Sequence, residues 1–229
     1  MDSRKWLARQ KKDIYTKQAK QQGYLSRASF KLLQIQERDH FIKPGMVVMD
    51  LGAAPGGWSQ VLAEIMMPPQ KLQAVNKCTS ISGVPSAKNS GKIIALDRLP
   101  LHLTLPEVHF IQGDFTQQEC LDTLLKYMQH VAIDQFDLVL SDMAPNTSGV
   151  KMVDQYQSIH LAEQALDFCI DHLKTGGDFL VKVFEGQEFA AYRNSLQEHF
   201  AKVMIRKPRA SRSASRELYL LACSKHALN

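Results

Sequence analysis

The sequence predicts an α/β fold in which a mostly parallel sheet is flanked by helices. Residues 46–60 read as a buried strand, a glycine-rich loop and the start of a helix, the arrangement of a nucleotide-type pocket. Further along the chain, apolar runs alternate with amphipathic helical patterns. Several of these runs end in an aspartate, as expected where parallel strands bring polar side chains to one edge of a sheet.

The chain begins with a basic arm at residues 1–25, which we expect to be helical in part. Ser26 is a predicted helix cap, and the amphipathic helix that follows it should end before Pro44. The apolar run at 46–49 contains two valines and suits a central strand buried on both faces.

The glycine loop after this strand predicts a cationic ligand. Gly52, Gly56 and Gly57 allow bare backbone to approach a ligand, but their spacing is not the GxGxxG that seats a pyrophosphate. Asp50 would repel a phosphate, whereas it would attract a ligand with a free amine. S-adenosylmethionine is such a ligand, because it carries an amino group and a sulfonium.

Three later aspartates could complete the pocket. Asp97 ends the run KIIALD and would reach the ribose hydroxyls of the ligand. Asp114 ends VHFIQGD and suits the adenine amino group, and Asp142 follows FDLVLS at the same sheet edge. Each aspartate alone is more readily explained as a turn or helix-cap residue. Their common placement favours a binding site.

The remaining elements follow from apolar periodicity and turn residues. Residues 68–91 are rich in Pro, Gly and small polar residues, and predict a long surface insertion. Further helices are expected at 116–129, from Asp154 to Gly176 and Gly177, and at 187–200. The predicted strands lie at 46–49, 92–97, 108–114, 136–141, 179–184, 202–205 and 218–223.

Three charged residues have both a surface and a catalytic interpretation. Lys182 interrupts the apolar run FLVKVF, so it either extends to solvent at the strand end or faces the pocket; we favour the pocket. Lys31 alone on a helix is more typical of a surface lysine. Glu217 alone would be a surface partner for a neighbouring arginine.

Composition and charge limit the function classes. A chain of 229 residues with 45% hydrophobic content can bury one core, so one domain spanning 1–229 is expected. No run has the length of a membrane span and the start lacks a signal-peptide core, which predicts a soluble, cytoplasmic protein. The four cysteines include no CxxC and the histidines show no ligand spacing, so we expect no metal.

Basic residues gather at the two ends of the sequence. Residues 1–43 carry a net charge of +7 and residues 202–217 a net +5, while the whole chain is +5. The acidic remainder therefore lies between two basic segments, which favours a polyanionic partner such as nucleic acid. A solvated lysine-rich helix is the alternative for the N-terminal run.

Five ordered blocks resemble the FtsJ family of ribosomal RNA 2'-O-methyltransferases. They are SRASFKLLQI, DLGAAPGGWSQ, LSDMAPN, FLVKVF and SRSASRELYL, and they cover essentially the whole chain. The resemblance implies a Rossmann-like class I S-adenosylmethionine-dependent methyltransferase with a seven-stranded sheet. It also implies a catalytic tetrad of Lys31, Asp142, Lys182 and Glu217. The 68–91 insertion is longer than expected for that family and leaves the shape of the pocket rim open.

The resemblance implies methyl transfer to a uridine ribose in the A-loop of 23S ribosomal RNA, in support of ribosome maturation. The residues expected to hold the methyl donor are Asp50, Gly52, Pro55, Gly56, Gly57, Trp58, Asp97, Asp114 and Asp142. Methyl transfer to a 2'-hydroxyl needs close alignment and loss of a proton. Lys182 could accept that proton, with Asp142 orienting it, while Lys31, held by Glu217, could stabilise the alkoxide; which lysine is the base stays open.

Three alternatives remain. Relatives acting on transfer RNA or messenger RNA caps share the tetrad, so another RNA could be the substrate. A base-modifying N-methyltransferase would have an aromatic residue after the proline in its Asp/Asn-Pro-Pro loop, where this chain has DMAPN. A noncatalytic ribosome-assembly factor would not need the tetrad. A monomer is expected, because no apolar stripe lacks a core to join.

Overall fold

The computed structural model describes residues 13–66, 91–146, 148–212 and 215–227. Within these residues, seven strands form one sheet in the order β3-β2-β1-β4-β5-β7-β6. The strands are β1 (Val47–Leu51), β2 (Lys92–Asp97), β3 (Val108–Gln112), β4 (Phe136–Ser141), β5 (Leu173–Phe184), β6 (Phe200–Arg206) and β7 (Glu217–Lys225). The described helices are α1 (Ile14–Gln22), α2 (Ala28–Asp39), α3 (Gly57–Met66), α4 (Gln118–His130), α5 (Lys151–His172) and α6 (Phe189–His199).

The topology brings the loops after β1 and β4 together. Strands β1 to β5 are parallel, and β1 pairs with β2 on one side and β4 on the other. Strands β2 and β3 therefore extend the sheet on one side of the β1–β4 pair, and β5 extends it on the other. At such a reversal of strand order, a crevice opens beyond the carboxyl ends of the two central strands. Strand β7 is antiparallel and lies between β5 and β6.

The sheet is buried on both faces. On one face, α2 and α3 contribute Leu32, Ile35 and Leu62 to an apolar layer against the central strands. On the other face, α4, α5 and α6 pack on Phe136, Val139 and neighbouring side chains. Buried apolar area on both faces is the main stabilising contribution to such a fold.

Several element boundaries differ from the predictions. The long helix ends at His172 rather than at the glycines 176 and 177. Strand β5 already begins at Leu173, and its pairing with β4 contains an irregularity that accommodates Gly176 at a φ of 78°. Gly176 and Gly177 therefore lie at an irregularity in strand pairing. In the sequence, two glycines after a helical pattern resemble a helix C-cap, which is why the helix was predicted to extend to them. Asp154 lies in the first turn of α5 and accepts from the Ser148 backbone N–H, so it does not precede the helix.

Two predicted segments fall partly outside the described residues, the first almost entirely and the second for about half of its length. The insertion at 68–91 is represented only by Gly91, and the basic arm at 1–25 is described from residue 13 onward. The described part of the arm contains helix α1, whose Tyr15 packs 5.6 Å from the Phe30 ring of α2. Among the described residues, no helix is long and apolar enough to cross a membrane.

A buried lysine caps the end of α5. The Lys225 ammonium donates to the carbonyl oxygens of Cys169 at 3.0 Å and Leu173 at 2.7 Å, and also to that of Ile170. Carbonyls at a helix C-terminus lack intrahelical donors and carry partial negative charge. Lys225 therefore ties the end of α5 to the last residue of β7.

We expect Lys225→Met to lower the free energy of unfolding by about 2–3 kcal/mol, because the carbonyls at the end of α5 lose a charged donor, although that of Cys169 keeps the Leu173 backbone N–H. The measurement is urea unfolding at neutral pH. Lys202→Met is the matched control, since Lys202 is an exposed lysine on the adjacent strand β6. It should change stability by no more than about 0.5 kcal/mol. Equal losses in the two variants would contradict the capping role.

Candidate active site

The glycine loop is held against β2 and against the loop after β4. The Gly52 backbone N–H donates to the Leu96 carbonyl at 2.9 Å, and its φ is 77°. A Cβ at Gly52 would lie 2.8 Å from the backbone nitrogen of Met143. Only glycine satisfies both the left-handed backbone and the close approach of the two loops. The Ala54–Pro55 peptide bond in this loop is cis.

Asp50 lies at the base of this loop and is fully buried. Its Oδ2 accepts a 2.6 Å hydrogen bond from the Ser59 hydroxyl of α3, while its Oδ1 has no hydrogen-bond partner among the described residues. Burial raises the pKa of Asp50 to about 7, although the Ser59 hydrogen bond opposes that shift. A buried carboxylate with a free oxygen fits the amino group of a cationic ligand.

The two aspartates after β2 and β3 have different surroundings. Asp97 accepts from the Ala54 N–H at 2.9 Å and from the Leu99 N–H at 2.8 Å, so it fixes the glycine loop to β2. Asp114 accepts from both the N–H and the hydroxyl of Thr116, and these bonds hold the pKa of Asp114 below its ordinary value. Asp114 thus forms a local turn, and its contact with adenine stays a prediction.

Trp58 and Gly57, two of the residues predicted to bind the donor, also contribute to packing between helices. Trp58 is buried, its indole N–H donates to the Ala28 carbonyl at 2.9 Å, and its ring lies 5.7 Å from that of Tyr219. Gly57 lies beneath α2, because a Cβ there would come within 2.8 Å of the Ser29 hydroxyl oxygen. Trp58 can therefore offer a ligand its backbone but not its indole face.

Lys182 faces the carboxyl edge of the sheet rather than solvent. Its residue exposure is 6%, and its Nζ lies 2.9 Å from Asp142 Oδ1. Nζ also donates to the Asp142 carbonyl oxygen. Burial alone would raise the pKa of Asp142, but the charges of Lys182 and Lys31 hold it below its ordinary value. The carboxylate is therefore an anion that fixes Lys182.

Lys31 is also buried, with an exposure of 7%, although a lone helical lysine is normally at the surface. Its Nζ donates to Glu217 Oε2 at 2.8 Å. Burial opposes ionisation of Glu217, yet Lys31 and, more weakly, Lys182 keep its pKa below the ordinary value. The two ion pairs therefore form one electrostatic cluster, in which each carboxylate interacts with both lysines.

Tyr219 joins the two pairs and was not singled out from the sequence. Its hydroxyl donates to Asp142 Oδ1 at 2.9 Å, and the Lys31 Nζ lies 5.7 Å from its ring centroid. Tyr219 is opposite Lys182 in the β5–β7 register and is fully buried. Burial and the adjacent Asp142 and Glu217 charges raise its pKa well above the ordinary value, so it acts as a neutral donor. Its place two residues after Glu217, on the same strand face, was the available signal.

The arrangement places two ammonium groups and two carboxylates at the sheet edge that also carries Asp50, Asp97 and the glycine loop. Such a site can bind a cationic ligand on its acidic side and can move a proton through an amine. Within the described residues, no group of three or more His, Cys, Asp or Glu side chains could hold a metal ion. The chemistry available to these side chains is positioning, proton transfer and charge stabilisation.

Comparison with known proteins decides the family. Residues 24–225 match the model of the FtsJ-like methyltransferases, a range that contains the glycine loop and both ion pairs. The chain belongs to the FtsJ-like methyltransferase family. It is therefore an S-adenosylmethionine-dependent methyltransferase, and the predicted family, enzyme class and methyl donor are confirmed.

Similar proteins are named Ribosomal RNA large subunit methyltransferase E. The protein from Alkalilimnicola ehrlichii is 50% identical over 220 residues, which cover 96% of this chain and 93% of the relative. The protein from Dichelobacter nodosus is 46% identical with the same coverage. The one from Nitrosospira multiformis is 44% identical over 97% of this methyltransferase and 96% of the relative.

Solved structures confirm the predicted Rossmann-like fold. A protein from Plasmodium falciparum, described as a ribosomal RNA methyltransferase, has a TM-score of 0.71 at 25% identity; the match covers 90% of this methyltransferase and all of that chain. The fibrillarin of Aeropyrum pernix, crystallised with S-adenosyl-L-methionine, has a TM-score of 0.50 at 13% identity and covers 87% and 75% of the two chains. The second likeness concerns the fold alone.

We expect Gly52→Ala to weaken S-adenosylmethionine binding at least about tenfold, because the new Cβ would separate the glycine loop from Met143. Calorimetric titration of the variant measures this loss. Gly23→Ala is a closely matched control: Gly23 has the same φ of 77°, but a Cβ there would have no neighbour within 4 Å. It should carry the backbone strain of about 1–2 kcal/mol and keep donor affinity. Similar donor affinities in the two variants would contradict the close approach.

Proposed function

We propose that this methyltransferase transfers a methyl group from S-adenosylmethionine to the 2'-hydroxyl of a uridine in the 23S RNA of the large ribosomal subunit. The observation that carries the chemistry is the pair of buried lysines, each fixed by its own carboxylate and both adjacent to Tyr219. Support for the substrate comes from the relatives' names, which specify the large subunit. The choice of the A-loop as the target region rests on the family resemblance of the sequence.

Lys182 is the proposed base. In its neutral form, the amine can use its two N–H bonds on Oδ1 and the carbonyl oxygen of Asp142. Its lone pair then remains for the proton of a ribose 2'-hydroxyl. Tyr219 donates to the same Asp142 oxygen and prevents the carboxylate from turning away. The proton taken by Lys182 returns to solvent after transfer.

Lys31 is the proposed electrostatic stabiliser. Its contact with Glu217 at 2.8 Å and its position over the Tyr219 ring suit a cation throughout the reaction. A fixed cation next to the attacking oxygen would stabilise the negative charge that grows as the proton leaves. When bound, S-adenosylmethionine supplies an activated methyl group on a sulfonium and leaves as a neutral thioether.

The donor would lie between the glycine loop and the ion pairs. Asp50 with its free Oδ1 suits the donor's amino group, and Asp97 suits the ribose hydroxyls. Gly52 keeps the rim between the two loops narrow. Pro55, Gly56 and Gly57, which follow in the same loop, would contact the donor through their backbone.

The basic segments are the proposed RNA contacts. Lys17, Lys20, Lys207 and Arg209 are exposed. Other cations are engaged within the protein, such as Arg206, which pairs with Asp39 at 2.6 Å. The exposed cations are therefore the ones available to phosphates. We further propose that the protein works as a single-domain monomer in the cytoplasm, where ribosomes are assembled; sedimentation tests its oligomeric state.

We expect Lys182→Ala to lose more than about 99% of methyl transfer to ribosomes, because a general base contributes about 10²–10⁴-fold. Donor affinity should change little. Tritium transfer to ribosomes from cells lacking the protein measures activity, and mapping of ribose methyls in their RNA identifies the nucleotide. Lys174→Ala is the control, because Lys174 is on the same strand but pairs with Asp137 near the strand's other end. Retained turnover in Lys182→Ala would remove Lys182 from its role.

If the wild-type protein methylates transfer RNA in this assay and not ribosomal RNA, the substrate is another RNA. If it binds the donor but methylates no RNA, a noncatalytic assembly factor is favoured.

We expect Lys17→Ala combined with Lys20→Ala to weaken RNA binding and to reduce the slope of log K against log salt by about 0.7–0.9 per lost phosphate contact. Filter binding across a salt series gives the slope. The control combines Lys92→Ala and Lys126→Ala, which remove equal charge from the start of β2 and from α4. Unaltered slopes in the first variant would exclude α1 as an RNA contact.

A further inference from the structure

Asp50 and Ser59 form a buried pair that the methyl-transfer step does not use. Both residues have zero exposure, and the Ser59 hydroxyl donates to Asp50 Oδ2 at 2.6 Å across the turn from β1 into α3. This bond holds the carboxyl in one rotamer, with Oδ1 left without a partner among the described residues. A buried acceptor without a donor is costly unless a ligand satisfies it.

The charged groups facing Asp50 do not stabilise its anion. Its charged neighbours are Asp142 from the loop after β4 and Asp97 from the end of β2, and both are acidic. Within the described part of the chain, no Lys, Arg or His forms an ion pair with Asp50. Ser59 is therefore the neighbouring group that favours the ionised form through a hydrogen bond.

We propose that Ser59 is a positioning residue for donor binding: its hydroxyl favours the ionised Asp50 that receives the donor's ammonium group, and donor binding releases a proton from the fraction of the protein whose Asp50 is still protonated. The inference rests on S-adenosylmethionine as the donor but not on the RNA substrate. No covalent bond of the donor changes in this step, and the bond that breaks is the O–H bond of a protonated Asp50 carboxyl. The proton leaves the Asp50 carboxyl for solvent when the ammonium group arrives.

The direction of the pH dependence follows from burial. Because burial places the pKa of free Asp50 at about 7, a large part of the protein carries a neutral Asp50 near neutral pH. A cation bound at Oδ1 favours the anion, so donor affinity should fall as pH drops below about 7. Above about 8, the donor's own amine loses its proton, a loss common to every variant.

The test is calorimetric titration of the full-length protein with S-adenosylmethionine from pH 5.5 to 9 in buffers of different ionisation enthalpy. For the wild-type protein, we expect donor affinity to fall below about pH 7, which is the acidic limb of the affinity–pH profile, and donor binding to release protons near neutral pH. Ser59→Ala should move the limb upward by about one pH unit, since a hydrogen bond to a charged group is lost. Affinity at neutral pH would then fall about fivefold.

Two variants separate this role from a merely structural one. Ser29→Ala also removes a buried hydroxyl next to the glycine loop, but this hydroxyl donates to the neutral Gly57 carbonyl at 2.9 Å. It should leave the midpoint of the acidic limb unchanged, whatever its effect on affinity. Asp50→Asn should bind weakly at every pH and lose the proton release. Thermal unfolding followed by circular dichroism confirms that each variant is folded.

The outcomes are distinguishable. An acidic limb that shifts in Ser59→Ala but not in Ser29→Ala supports the inference. Equal loss of affinity at all pH values in Ser59→Ala, or wild-type binding without proton release, overturns it and leaves the proposed methyl transfer intact. Absence of donor binding by the wild-type protein would overturn both this inference and the proposed function.

Discussion

The site depends on the cost of burying an ammonium group. Lys31 and Lys182 can remain largely buried only because Glu217 and Asp142 lie 2.8 and 2.9 Å from them. Each carboxylate comes from a different part of the chain than its lysine. The charged groups therefore constrain how α2, β4, β5 and β7 meet. Tyr219 strengthens this constraint, because its hydroxyl bonds to one pair and its ring lies beneath the cation of the other.

The aspartates Asp50 and Asp97 differ in which of their oxygens accept hydrogen bonds from the protein. Asp97 accepts hydrogen bonds from the backbone and so shapes the glycine loop, whereas Oδ1 of Asp50, at the bottom of that loop, has no hydrogen-bond partner among the described residues. Two carboxylates that share one sheet edge thus differ in how many of their oxygens the described part of the protein engages. The difference arises from their neighbours, since the residue type is the same.

Much of this arrangement could be predicted from local patterns. The alternation of apolar runs and helices, with aspartates after the strands, was sufficient for the parallel sheet and its carboxyl edge. Lys182 was assigned to the pocket because an apolar run rarely contains an unpaired lysine. These features depend on short stretches of chain, in which spacing and burial are directly related.

The remaining features depend on tertiary contacts. The Lys31–Glu217 pair joins positions 186 residues apart, which no spacing rule could connect; only the family resemblance linked them. Gly176 and Gly177 resemble a helix stop but accommodate the irregular β4–β5 pairing. Lys225 was missed because only the fold brings it to the end of α5.

The position of β7 has a consequence for biosynthesis. Glu217 and Tyr219 are on a strand that follows β6 in the chain but lies between β5 and β6 in the sheet. A nascent chain that stops at β6 lacks both residues, and its β5 has an unpaired edge next to Lys182. Translation must therefore pass residue 219 before the Lys31–Glu217 ion pair and the Tyr219–Asp142 hydrogen bond can both form.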